Sequence, residues 1–261
     1  MATLPHRKSG HRKRRAREAR RLLRDRKIFA KLRLLVSESE RLHHRFAEPI
    51  EPLSVFYGKQ TLPARMNVSP FPMVYQDNGR PMPQWKDLSQ WMKVLMATIV
   101  SHEWDLLTFN INLHPELETE LVLSGSVLSR LSERVRKHIS REVGTGREYF
   151  FVIEGHSAKT GAQTYLHIHG AIATHDSAEN GRIEEALLRA AGHNVRGRGK
   201  TPRATKAKLF EQVRVAYPNY LFKFTLRHDP RLDERRLVMS RVMTQAAAMF
   251  WTDIAHERTW V

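Results

Sequence analysis

Eight residues in the middle of the chain constrain its fold more than any others: Tyr165-Leu166-His167-Ile168-His169-Gly170-Ala171-Ile172. Apolar Leu166 and Ile168 alternate with His167 and His169. A period of two fits a strand and not a helix. Such a strand buries one face and turns both imidazoles to the other. The strand is read over Gln163–Ala173, preceded by a second over Arg147–Glu154. The polar stretch Gly155–Ala162 between them is short enough for a hairpin.

Two histidines on one sheet face suit a divalent cation if a third ligand stands beside them. Glu154 ends the preceding strand, and a hairpin brings it next to the histidines. Two imidazoles and one carboxylate leave coordination positions for phosphate oxygens. The mixed donor set suits Mn²⁺ or Mg²⁺ acting on a phosphodiester, with zinc also open.

The other elements follow from periodicity. Leu106–Leu113 alternates Leu107, Phe109 and Ile111 with Thr108, Asn110 and Asn112, as a half-buried strand does. Helices are expected over residues 86–103, over Ser126–Arg141 on the stripe Leu128, Leu131, Val135 and Ile139, and over Arg182–Ala191. Another short helix starts near Pro218, and a last one spans Leu237–His256. Leu209–Val215 is read as a further strand. The fold class is α+β: an antiparallel sheet covered by helices on one face, with a basic helical N-terminal arm.

Three segments are expected. Residues 1–46 form the arm, with Leu22, Leu23, Phe29, Leu32, Leu34 and Leu35 as its apolar face. Residues 47–104 form a Pro-rich linker and a helix packing on the core, and residues 105–261 the main domain. Charge is uneven: the chain carries +17, of which +12 lies in residues 1–46. Such a chain seeks polyanions, nucleic acid before acidic membrane. Arg12, Lys13, Arg14 and Arg15 are candidates for DNA phosphate contact; a solubilising tail has the same composition. Arg196, Arg198 and Lys200 lie in a basic loop over residues 192–208, read either as a DNA-backbone contact or as an ordinary solvated loop. Gly199-Lys200-Thr201 mimics the end of a P-loop, but Asn194 stands where the first glycine belongs.

The chain has no cysteine, which excludes disulfides and thiolate metal sites. No apolar run approaches the roughly 20 residues that span a bilayer, and no secretory h-region is present. The expected location is the cytoplasm and no membrane partner is expected. Trp91, Trp104 and Trp251 are assigned to the core, and His156, His175 and His193 to loops without a ligand role.

The remaining chemistry sits in Tyr217-Pro218-Asn219-Tyr220-Leu221-Phe222-Lys223. On a helix, Tyr220 and Lys223 share a face. A phenol with a pKa of about 10 is a poor nucleophile, and an ammonium nearby favours its anion.

These motifs together resemble the HUH endonucleases. His167-Ile168-His169 is similar to their paired-histidine motif, Tyr220-Leu221-Phe222-Lys223 to their tyrosine motif, and Leu107-Thr108-Phe109-Asn110 loosely to their first strand motif. The tyrosine lies after the histidines, as in replication initiators and related transposases. The resemblance covers about residues 105–230 and implies a central antiparallel sheet of RRM-like topology. It implies Glu154, His167 and His169 as metal ligands, Tyr220 as nucleophile and Lys223 as its electrostatic helper. It also implies nicking and rejoining of single-stranded or origin-hairpin DNA through a 5′-phosphotyrosine, in rolling-circle replication of a plasmid or phage. Tyr217 is a possible second tyrosine, but its three-residue spacing departs from the pattern of two-tyrosine members. No helicase module is visible, so unwinding would fall to a host helicase. Two other readings stay open: a transposase, and a non-catalytic DNA- or RNA-binding protein.

Overall fold

A computed structural model describes residues 14, 16–28, 82–101, 105–157, 161–194, 217–222, 229–233 and 235–256. The chain divides into two compact units. One comprises Met1–Glu103, Arg214–Pro218 and Ala246–Val261; the other comprises Trp104–Val213 and Asn219–Gln245. The strand read at Leu209–Val215, Trp104, and the site residues Arg12, Lys13, Arg15, Arg196, Arg198, Lys200 and Lys223 lie outside the described residues.

In the first unit, helix α1 runs over residues 16–28 and α2 over Gln90–Val100. The start of α2 is capped from three sides. Ser89 Oγ accepts Met92 N–H, Asp25 accepts Ser89 N–H at 2.6 Å, and Glu18 accepts Gln90 N–H at 2.7 Å. These bonds satisfy amides that a helix start leaves without internal partners, and carboxylates suit its positive end. Helix α1 is therefore docked here. Arg21 pairs with Asp87 at 3.1 Å, and Arg24 with Asp25 at 2.7 Å. Leu22 and Ile28 are buried. Leu23 is 61% exposed and does not belong to the apolar face. It is adjacent to Leu22, and a helix turns neighbours about 100° apart. Trp91 is buried in α2, and Trp251 is buried with its indole N–H donated to Pro83 O at 2.9 Å.

The second unit holds the sheet. Strands β1 (Asp105–Asn112), β2 (Tyr149–His156), β3 (Gln163–Thr174) and β4 (Leu237–Met239) lie in the order β1-β3-β2-β4, all neighbours antiparallel. Between β1 and β2 come α3 (Pro115–Leu123) and α4 (Val127–Val143), and after β3 comes α5 (Asn180–Ala190). One face of the sheet presents Phe109, Ile111, Phe151, Ile153, Leu166, Ile168, Ile172 and Val238 to a single core. Onto it pack Leu117 and Leu121 of α3, Leu131, Val135 and Ile139 of α4, and Ile183 and Leu187 of α5. The α4 stripe recurs every four residues, as expected for a helix with one wet face.

Gly170 shows how tightly this core closes. A Cβ there would lie 2.3 Å from Phe150 O and 2.5 Å from the Phe109 ring. Phe109 and Phe151, its partners on the two flanking strands, occupy the space that it leaves.

Two expectations change. The stretch before the last helix is a strand: Leu237, Val238 and Met239 pair with Val152, Phe151 and Phe150. Ser240 then switches the chain to helix α7 (Arg241–His256), its Oγ accepting from Tyr149 N–H and from Met243 N–H. Apolar residues on both sides of the Ser240-Arg241 step concealed the boundary. Helix α3 was not anticipated, although Pro115 at its first position and Glu116 and Glu118 in its first turn are start signals. Among the described residues, no helix is long and apolar enough to cross a membrane.

Candidate metal centre

The sheet register decides what faces the histidines. Residues paired across neighbouring strands share a face. His167 stands between Asn112 on β1 and Glu154 on β2, and His169 between Asn110 and Val152. Glu154 therefore joins the two histidines on the face opposite the core. So do Asn110 and Asn112, whose side depended on a register that the sequence did not fix. Thr108, opposite Ala171, shares it too.

The three donors converge. Ligand atoms of Glu154, His167 and His169 all lie within 4.8 Å of one another. His169 Nε2 is 3.5 Å from Glu154 Oε2, and His167 Nε2 is 3.8 Å from the same oxygen. Donors that share a cation at about 2.1 Å stand roughly 3.0–3.4 Å apart, depending on geometry. The two distances to Glu154 lie within a few tenths of an ångström of that spacing. The two rings meet edge to face, with centroids 4.8 Å apart. Glu154 is only 2% exposed, an expensive place for a lone carboxylate and a suitable one for a metal ligand.

His167 is oriented from behind. Its Nδ1 lies 3.0 Å from Tyr165 O. An N–H donated to that carbonyl fixes the tautomer whose Nε2 lone pair points at Glu154. The donor set thus fits a divalent cation held by two neutral imidazoles and one carboxylate.

Tyr220 completes the cluster. It lies in the short helix α6 (Tyr217–Leu221), anchored by buried Leu221 and Phe222. Its ring centroid is 5.3 Å from that of His169, edge to face. Burial raises the phenol above its ordinary pKa, and the charge of Glu154 raises it further. Both effects oppose the phenolate; a cation bound at Glu154 would offset the second. Lys223, expected to help from the same helix face, is outside the described residues. Tyr217 opens the same helix but belongs to the other compact unit. Of the arm cations assigned to DNA, Arg14 is described, and it is exposed and helical.

Tyr165 also follows the alternation onto the histidine face and is 61% exposed. On the core side lies a second charged cluster that sequence reading missed. Arg231 bonds Asp229 and Glu118, residues far apart in the chain. Burial alone would raise the Asp229 carboxyl. Hydrogen bonds from the Arg231 side chain and backbone, with its charge, outweigh that and hold it below the usual carboxylate range.

No protein-family model matches the chain, and neither a curated protein nor a solved structure matches it at a significant level.

Proposed function

We propose that the chain is a metal-dependent endonuclease of the HUH type that nicks single-stranded DNA through Tyr220, in the manner of a rolling-circle replication initiator. The observation that carries this reading is the Tyr220 ring 5.3 Å from His169, beside a converging Glu154–His167–His169 donor set. A buried cation site alone has many uses. A half-exposed phenol set against one of its ligands is consistent with phosphoryl transfer to tyrosine.

Glu154, His167 and His169 would hold a divalent cation, which would supply a Lewis acid to the oxygens of a phosphodiester. Mn²⁺ or Mg²⁺ suits the chemistry. Tyr220 Oη attacks phosphorus and loses its proton to solvent. The bond from phosphorus to the 3′ oxygen breaks, and that oxygen leaves as a hydroxyl. The 5′ phosphate stays on Tyr220 as a diester, so a later 3′ hydroxyl can reverse the step and rejoin the strand. Lys223 is assigned to stabilise phosphate charge, and Asn110 and Asn112 offer side-chain amides to the strand crossing their face. Arg12, Lys13, Arg14, Arg15, Arg196, Arg198 and Lys200 are assigned to more distant phosphates.

The sheet supports the same reading. Strand β3 lies antiparallel between β1 and β2, and helices α3 and α4 fill the crossover joining β1 to β2. This connectivity is that of a split β-α-β unit, which supports the RRM-like reading. Strand β4, on the β2 edge, lies outside that unit.

The test is a nicking assay on labelled single-stranded and hairpin DNA of varied sequence, with Mn²⁺ and with chelator. The expected result is metal-dependent cleavage that Tyr220→Phe and His169→Ala both abolish. Salt-sensitive binding without cleavage, on every substrate tried, would replace the enzyme with a non-catalytic nucleic-acid binder.

A further inference from the structure

We infer that Arg231, with Glu118 and Asp229, forms a clamp that positions Glu154 and His167 and thereby sets how tightly the metal centre holds its cation. The inference rests on the metal-centre reading and concerns residues that do not belong to the donor set.

The clamp sits where the β-ladder fails. Strands β2 and β3 pair in register down to Glu154 and His167, and then the register shifts before His156 pairs with Gln163. A bulge at this point threatens the aim of both ligands. Side chains take over there. Arg231 donates from Nη2 to Gly155 O at 3.0 Å and from Nη1 to Thr164 O at 2.8 Å. One guanidinium thus staples the two strands together immediately beyond the ligand pair. Glu118 adds a third hold, accepting Leu166 N–H at 2.9 Å.

Two of the three holds lie next to a ligand. Gly155 follows Glu154, and Leu166 precedes His167. Between the held Thr164 and Leu166 stands Tyr165, whose carbonyl orients the His167 ring. Releasing the clamp would free that carbonyl and the ring with it.

The guanidinium itself is fully engaged. Its Nε and Nη2 meet the two oxygens of Asp229 at 3.0 and 2.7 Å. Its Nη1 meets Glu118 Oε1 at 2.7 Å. With the two carbonyls, all five N–H donors of an arginine have acceptors. Asp229 is fully buried, and its charge is compensated by this contact. A lysine offers a point charge and no fork, and cannot hold both strands.

Gly155 is what admits the clamp. A Cβ there would lie 2.1 Å from Asp229 Oδ2 and 2.3 Å from Arg231 Nη2. The glycine's place next to a ligand is thus explained by packing against the clamp. Arg231 and Glu118 act through the backbone and are positioning residues.

The experiment titrates the full chain with Mn²⁺ by calorimetry and with Co²⁺ by visible absorption, which reports ligand geometry. Wild type, Arg231→Lys and Glu118→Gln are compared at a temperature where circular dichroism shows each folded. For Arg231→Lys, metal affinity is expected to fall about 10- to 100-fold, the usual effect of losing a group that orients a ligand, with a changed Co²⁺ spectrum. Glu118→Gln, which keeps a carbonyl for Leu166 N–H, is expected to lose less and to fold even where Arg231→Lys does not. Affinities within twofold of wild type and unchanged Co²⁺ spectra in the folded variants, with only the melting temperature lowered, would reduce the clamp to a structural network and overturn the inference. A wild-type chain that takes up neither metal would remove the metal centre itself, and the clamp's role with it.

Discussion

Two buried charged clusters flank the same hairpin, one on each face of the sheet, and they are built on opposite plans. On the core face, carboxylates and guanidinium touch: Asp229 and Glu118 both lie 2.7 Å from Arg231 nitrogens. On the other face, Glu154 stands 3.5 and 3.8 Å from its imidazoles. Arginine is a permanent cation with no lone pair to offer, so it occupies the carboxylates of its cluster and adds no donor for a metal. Histidine can be neutral and can donate to a metal. The tight cluster is fit to hold structure, and the loose one to hold a cation. A buried carboxylate alone therefore says little about function; what its partners can donate says more.

Substitutions should separate the two clusters. The largest effect on stability is expected from Arg231→Met, which takes from buried Asp229 and Glu118 the guanidinium that they share. Breaking a buried pair from one side costs about 3–5 kcal/mol, to be read from urea unfolding without metal. Glu154→Gln should do the reverse. Apo stability should hold or rise, because a buried charge is removed, while Mn²⁺ affinity falls by more than about 100-fold. At a hundredfold excess over its Kd, Mn²⁺ should stabilise wild type by about 2.7 kcal/mol and this variant hardly at all. Equal metal stabilisation of both would merge the clusters into one structural class.

Gly155→Ala probes the wall between them. The added methyl must displace the clamp, at about 1–3 kcal/mol by chemical denaturation. A neutral result would mean that the clamp yields easily. The smallest effect is expected from acid. Asp229 has a carboxyl pKa below its ordinary value, so it contributes stability above the ordinary carboxylate range. That contribution fades as the pH falls towards the depressed folded value. Melting temperatures of wild type and Asp229→Asn should therefore converge in acid and diverge toward neutrality.

The metal face was legible in the sequence because its information is local. Two-residue alternation put His167 and His169 on one side, and a short loop put Glu154 beside them. The proximity of Tyr220 to His169 spans 51 residues and was reachable only through motif order. The clamp was not legible. Glu118 and Arg231 lie 113 residues apart, and each alone looks like a solvated surface charge. Helix α3 was overlooked because a nine-residue segment with exposed Leu123 shows little periodicity, and β4 was absorbed into α7 because both are apolar. The arm reads in sequence as a basic helix for DNA phosphate contact or as a solubilising tail, on the strength of its cations. Its Asp25 and Glu18, which cap α2, show that its few acids matter as much as its many bases.

The most direct measurement is mass spectrometry of the protein after incubation with single-stranded DNA and Mn²⁺, followed by digestion of both. The account predicts a nucleotide attached through its 5′ phosphate to Tyr220, absent when metal is chelated. A nucleotide on Tyr217 instead, or DNA cleaved with no modified tyrosine, would contradict it.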